Sequence, residues 1–189
     1  TATVKQFQRR YQVESGQAAR VSESAAQLLR GLLRFRLRNN ADLEKDLQFI
    51  DWSASLHEVG LSIAHTSYHK HGAYVLSYAD MPGFSKMDQA RLTLLVLCHR
   101  GKLNKIESLN RDDATWRQIL ALRLAAILHR ARQEGLAPQL QARETVNGFT
   151  LQLPASWLEE NPMTAAALRD ELIVWAEAGF RLRIRAARK

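Results

Sequence analysis

Residues 56–74 read Leu-His-Glu-Val-Gly-Leu-Ser-Ile-Ala-His-Thr-Ser-Tyr-His-Lys-His-Gly-Ala-Tyr. Four of the chain's six histidines, His57, His65, His69 and His71, fall within fifteen of these residues, and a fifth, His99, stands beside Arg100 after the next helical segment. Three chemistries compete for such a cluster. Imidazoles are ligands for Zn, Fe, Mn or Ni. Imidazole, ammonium and guanidinium donors converging on phosphate oxygens make an anion site. Histidines also cap helices and fill cores, satisfied by backbone groups. The residues alone leave all three open.

Working outward, Val13–Arg38 reads as one long helix. Val21, Ala25, Leu28, Leu29, Leu32, Leu33 and Leu37 recur at three- and four-residue spacings, the signature of a buried helical face. Arg30, Arg34 and Arg38 form a second stripe, one turn apart, and Asn39-Asn40 is a stop signal. Leu43–Val59 is a second helix with Gly60 as its C-cap. An irregular link over Leu61–His69 leads to a short helix, Gly72–Tyr78. Asp80-Met81-Pro82-Gly83 has turn chemistry, and Ser85 is placed to N-cap a helix running to His99, with an interruption at Gly101. Asp112–Glu134 is a fifth helix, ended by Gly135, and Ala137–Arg143 reads as a linker. The period then changes. Phe149, Leu151 and Leu153 alternate as in a strand, Asn147-Gly148 suits a hairpin turn, Thr164–Ala178 is helical, and Phe180–Ala186 alternates apolar with basic residues. The expected fold is mainly α, a helical domain over 1–138 followed by a small α/β domain over 139–189. At about 50 residues the latter needs support from the former.

Composition narrows the function. A hydrophobic content of 46% supports a real core and argues against wholesale disorder. No apolar stretch approaches the length of a membrane span. The single cysteine, Cys98, sits in an apolar run and reads as a buried thiol in a reducing, cytoplasmic setting. The chain opens on Thr rather than Met, without an apolar leader, which is the expectation for a piece of a longer protein. Net charge is +8, concentrated in two segments: +6 over residues 1–40 and +4 over 61–105, separated by an acidic stretch over 41–60. Two basic segments suit a polyanionic partner, whether nucleic acid, phosphate polymer or anionic lipid. With aromatics at only 7% and no RNA-binding or helix-turn-helix signature, nucleic acid is the weaker candidate.

A helix ending in His57-Glu58-Val59-Gly60 and followed by histidines resembles the core of the HD metal-dependent phosphohydrolases. Those enzymes use four ligands, and here three positions depart: Gln17 stands in the early His frame, Glu58 replaces the Asp of the pair, and Leu120–Ala131 carries no acid. A self-sufficient HD hydrolase is thus the alternative reading. The closer resemblance is to exopolyphosphatases and the related guanosine pentaphosphate phosphohydrolases. It rests on Leu56-His57-Glu58-Val59-Gly60, on His65 and His69-x-His71-x-Ala73-Tyr74, on Asp80-Met81-Pro82-Gly83-Phe84, and on His99-Arg100. It runs in order from about Gln17 to Lys105, and the tail around Trp157 and 175–184 is similar to the family's last small domain.

That resemblance implies a degenerate HD-like helical domain followed by a small α/β domain, from the C-terminal half of an exopolyphosphatase. In the family the catalytic carboxylates, phosphate loops and Mg²⁺ belong to two N-terminal domains, so no catalytic residue, metal or cofactor is expected in this part, and it is expected to be inactive alone. The implied polyphosphate-binding residues are His65, His69, His71, Arg100, Lys102 and Lys105, with His57, Glu58, Lys70 and His99 as further candidates. Gly101 stands where the family often has a basic residue, with Lys102 as its substitute. The resemblance also implies a homodimer and a cytoplasmic location, with a peripheral place at the inner membrane as the other option. The expected function is to bind and thread polyphosphate for orthophosphate release by the N-terminal domains. The same region of a guanosine pentaphosphate phosphohydrolase is a further alternative.

Overall fold

The computed structural model describes residues 1–36, 39–134 and 138–187. Helix α1, Ala2–Arg10, is capped by the Thr1 hydroxyl, which accepts from the Val4 amide. The sequence reading assigns it no element. It has only two large apolar side chains three residues apart, Val4 and Phe7, so its helicity depends on docking. Both bury against Leu56, Val59, Leu76, Met81, Leu92 and Val96 in a small apolar cluster.

Helix α2, Ser15–Leu33, carries the predicted leucine face: Leu28, Leu29, Leu32 and Leu33 are buried. It begins two residues later than predicted, after a turn in which Gln12 takes a φ of 53°. It ends at Leu33 and passes into a turn over 34–36 instead of continuing as predicted, and Leu37 and Arg38 lie outside the described residues. Asn39 begins an element rather than ending one. Its side chain accepts from the Asp42 amide at 2.9 Å and caps α3, Asn40–Leu56.

Helix α3 ends at His57, and Gly60 takes no left-handed cap but lies in the 3-10 turn Val59–Ser62. The glycine is needed for another reason. A Cβ there would fall on the Tyr68 carbonyl and the Gly72 amide of helix α4, Tyr68–Tyr78. The HEVG turn and α4 therefore pack backbone to backbone. Ser85 caps α5, Lys86–Cys98, as expected, accepting from the Asp88 amide at 3.1 Å. Helix α6, Thr115–Leu128, is buried almost throughout and forms the spine of the main core. It ends at Leu128 with His129 as its C-cap, six residues short of the predicted Glu134, and Gly135 lies outside the described residues.

The C-terminal sheet has the order β1-β2-β3. Strand β1, Gln141–Thr145, and β2, Gly148–Pro154, form an antiparallel hairpin with Thr145 opposite Gly148. Its two-residue loop is Val146-Asn147, one residue earlier than the predicted turn. Helices α7, Ala155–Glu160, and α8, Pro162–Glu177, carry the chain to β3, Arg181–Ala187, parallel to β2. Part of the predicted linker is β1. Its inward positions are Ala142 and Glu144, so it lacks the alternating large apolar residues that announce a strand. Phe149, Leu151 and Leu153 of β2 and Trp175 of α8 enter the same apolar cluster as Leu28 of α2 and Ile119 of α6.

Candidate functional site

Two histidines end two helices in the same way. His57 is the C-cap of α3, and its Nδ1–H donates to the Ala54 carbonyl at 2.6 Å. His99 is the C-cap of α5, and its Nδ1–H donates to the Val96 carbonyl at 2.6 Å. A carbonyl only accepts, which places the proton on Nδ1 in both rings. The Nε2 of His99 is then an acceptor, taking the Tyr68 hydroxyl proton at 3.2 Å. The two rings meet edge to face with centroids 5.2 Å apart. Burial holds the basicity of both below the usual histidine value, that of His99 well below. Both are therefore neutral at pH 7, and they brace the helix ends without adding charge.

His69 lies on the first turn of α4, buried, with its ring 6.3 Å from that of His99. Its pKa falls to about 4, first through burial and then through Lys105, Arg100, Lys70 and Arg123. Those four cations come from α4, the segment after α5, and α6. Gly101, with a φ of +79°, runs over the ring: a Cβ there would sit 3.0 Å from His69 Nε2. Gly101, which the resemblance marks as a departure, thus stands where the backbone is left-handed and close to the imidazole.

The cations differ in how free they are. Lys105 Nζ donates to the Leu97 carbonyl at 2.8 Å and the Arg100 carbonyl at 3.4 Å, closing the end of α5. Arg123 is interior. It donates to the Cys98 and Gly101 carbonyls, each at 2.9 Å, and pairs with Glu171 of α8. Lys70, Arg100 and Lys102 are exposed, and among the described residues none is in an ion pair. Arg100 lies over the Tyr68 ring at 5.2 Å. A cleft of about 320 Å³ opens beside Tyr68, His99 and Arg100, also lined by Arg130, Asp170 and Glu171.

His57, His69, His99, Arg100, Lys70 and Lys105 are therefore brought together. His65 is exposed in the loop before α4. His71 is half-buried, two helical positions from His69, so the two point to different faces. Glu58 lies 3.9 Å from His57 Nε2 and is held by Arg132, whose other arm reaches Glu14 at 2.6 Å. Gln17, in the early His frame, donates to the His129 carbonyl at 2.8 Å. The positions from which an HD enzyme would draw ligands thus hold an ion pair and an amide hydrogen bond. Among the described residues no group of three or more His, Cys, Asp or Glu side chains is placed to hold a metal ion. Tyr68, Arg123 and Glu171 escaped the sequence reading, although Arg123 interrupts an otherwise apolar run from Ile119 to Leu128 and so signals a buried, paired charge.

Fold and site define a mainly helical module in which neutral histidines cap helix ends beneath a cationic surface. The family model for Ppx/GppA phosphatase, domain III, matches residues 1–172, and the chain belongs to that family. Its relatives include a protein of Pseudoalteromonas atlantica named guanosine-5'-triphosphate,3'-diphosphate pyrophosphatase, 33% identical over 174 residues that cover 89% of this chain and 34% of the relative. Proteins of the same name from Aeromonas hydrophila and Vibrio atlanticus are each 31% identical, covering 93% and 96% of this chain and 36% of each relative. The chain spans about a third of the length of these curated relatives. Among the described residues no helix is long and apolar enough to cross a membrane.

Proposed function

We propose that this chain is the C-terminal part of a phosphohydrolase that releases terminal orthophosphate from inorganic polyphosphate, and that it holds and threads the chain. The observation that carries this reading is the set of cations about His69, from which Lys70 and Arg100 reach solvent, with the exposed Lys102 next to Gly101 in the chain. A phosphate polymer offers no sequence to read, so binding is chiefly electrostatic and accompanied by counterion release. Charge-assisted hydrogen bonds from Arg and Lys supply the short-range grip. His69 enters as a neutral donor, because its surroundings disfavour a proton. Holding the distal chain raises the effective concentration of its end at the catalytic site. In this reading the carboxylates and Mg²⁺ belong to N-terminal domains of the same protein, the division of this chain falls near residue 138, and the parent is a cytoplasmic homodimer.

The names of these relatives favour a second reading, in which the substrate is guanosine-5'-triphosphate,3'-diphosphate. The test uses the full-length parent with both substrates and polyphosphates of graded length. Lys70→Ala/Arg100→Ala/Lys102→Ala is expected to raise KM for long chains about tenfold or more and to leave triphosphate-length substrates within about twofold, as befits contacts remote from the cleaved bond. An equal effect at every chain length overturns the holding role, and turnover confined to the guanosine substrate selects the second reading.

A further inference from the structure

The outer face of the C-terminal sheet belongs to none of the residues described so far. Along β1 and β3 side chains alternate between the core and solvent. Arg143 of β1, and Arg181, Arg183 and Arg185 of β3, are exposed on the outward side. The register assembles them: Arg143 stands opposite Thr150, Thr150 beside Arg183, and Gln152 beside Arg185. Outward positions follow one another at about 7 Å along a strand and about 5 Å between strands, so the four guanidinium groups share one polar surface. No acidic residue lies on it. The one carboxylate of β1, Glu144, is on the opposite side, held by Arg36 and Arg117. None of the four arginines is in an ion pair among the described residues.

We infer that this sheet face is a second anion-binding surface, and that its ligand is a phosphate polymer without bases. Arginine in such a field favours phosphate through forked hydrogen bonds. Single-stranded nucleic acid is held largely by stacking of its bases on a series of aromatic side chains; none of the outward strand positions is aromatic, and the exposed Phe35 stands alone at the β1 edge beside Gln141 and Arg143. An interfacial membrane contact needs a broad apolar complement, which one phenyl ring does not supply. The identity of the polymer as polyphosphate rests on the proposed function. The surface itself rests on charge and register. A chain held both at the His69 cluster and here gains avidity from two attachments.

The test is binding of long-chain polyphosphate to this chain across a salt series. Converting all four arginines to glutamine is expected to weaken binding about tenfold or more near physiological salt. It should also lower the slope of log affinity against log salt by about 3, the loss of roughly four phosphate contacts. The corresponding four-lysine variant is expected to keep most of that slope. The side chains are exposed, so the melting temperature of both variants is expected to match the parent chain. An unchanged slope in the glutamine variant overturns the surface, and displacement of polyphosphate by single-stranded RNA of equal charge, equally well, overturns its base-free assignment. The Lys70/Arg100/Lys102 variant is measured in parallel. Loss there without loss on the sheet face leaves the proposed function standing and removes this inference. The converse result removes the role given to the His69 cluster.

Discussion

Arg123 of α6 and Glu171 of α8 form a two-armed ion pair inside the protein, Nε to Oε2 at 2.9 Å and Nη2 to Oε1 at 2.6 Å. The same guanidinium donates to the carbonyls of Cys98 and Gly101, and the same carboxylate accepts from Trp175 Nε1 at 3.0 Å. One buried pair therefore ties the C-terminal helix to the loop that carries Arg100.

Removing one member leaves the other charged and buried. Glu171→Leu is expected to cost about 3–5 kcal/mol of unfolding free energy, and Arg123→Met/Glu171→Leu markedly less. Urea denaturation of the single and double variants measures both. Equal losses in the two would show that packing, not uncompensated charge, sets the cost.

The buried histidines give stability a pH dependence of defined sign. His57, His69 and His99 are less basic folded than unfolded, so below about pH 6.5 the unfolded chain binds more protons than the folded one. Stability is expected to be full above that value and to fall as the pH drops, at no more than about 1.4 kcal/mol per histidine per pH unit. For His69 the fall ends near its folded pKa of about 4. Denaturant midpoints between pH 7.5 and 4.5 test this, and His99→Gln is expected to flatten the curve.

The two close-approach glycines should fail differently. Gly101→Ala strains a φ of +79° and presses on the far end of a side chain, His69 Nε2, for about 1–2 kcal/mol. Gly60→Ala drives a methyl into the Tyr68 carbonyl and the Gly72 amide, and backbone cannot swing aside. Thermal melts are expected to show a modest loss for the first and loss of the native fold for the second.

Much of this architecture is legible because helix faces repeat. Leu28, Leu29, Leu32 and Leu33 announce α2, and Ser85 announces the start of α5. Helix α1 and strand β1 are silent, because Val4 and Phe7 are too few and because the inward positions of β1 are Ala142 and Glu144. At the candidate site, the histidine run shows where His57, His69 and His99 gather but not what they bond. The capping bonds of His57 and His99 depend on where α3 and α5 stop. The cations around His69 come from sequence positions 70, 100, 105 and 123, a meeting that no local pattern encodes. Glu171 lies 48 residues from Arg123, beyond any spacing rule.

The shared core also bears on the proposed division near residue 138. Phe149 and Trp175 pack edge to face at 5.6 Å, and Trp116 of α6 lies 4.9 Å from Phe180. Expressed alone, residues 139–189 are expected to lack a cooperative melt, since so short a unit buries too little surface. Circular dichroism on that piece, with and without residues 1–138 added, checks it.

In the proposed function Lys70, Arg100 and Lys102 grip a phosphate polymer. The most direct measurement is the affinity of this chain for polyphosphates of increasing length, with and without Lys70→Ala/Arg100→Ala/Lys102→Ala. The expected result is salt-sensitive binding that tightens with length and weakens about tenfold or more in the variant. Affinity independent of both length and these three side chains would contradict it.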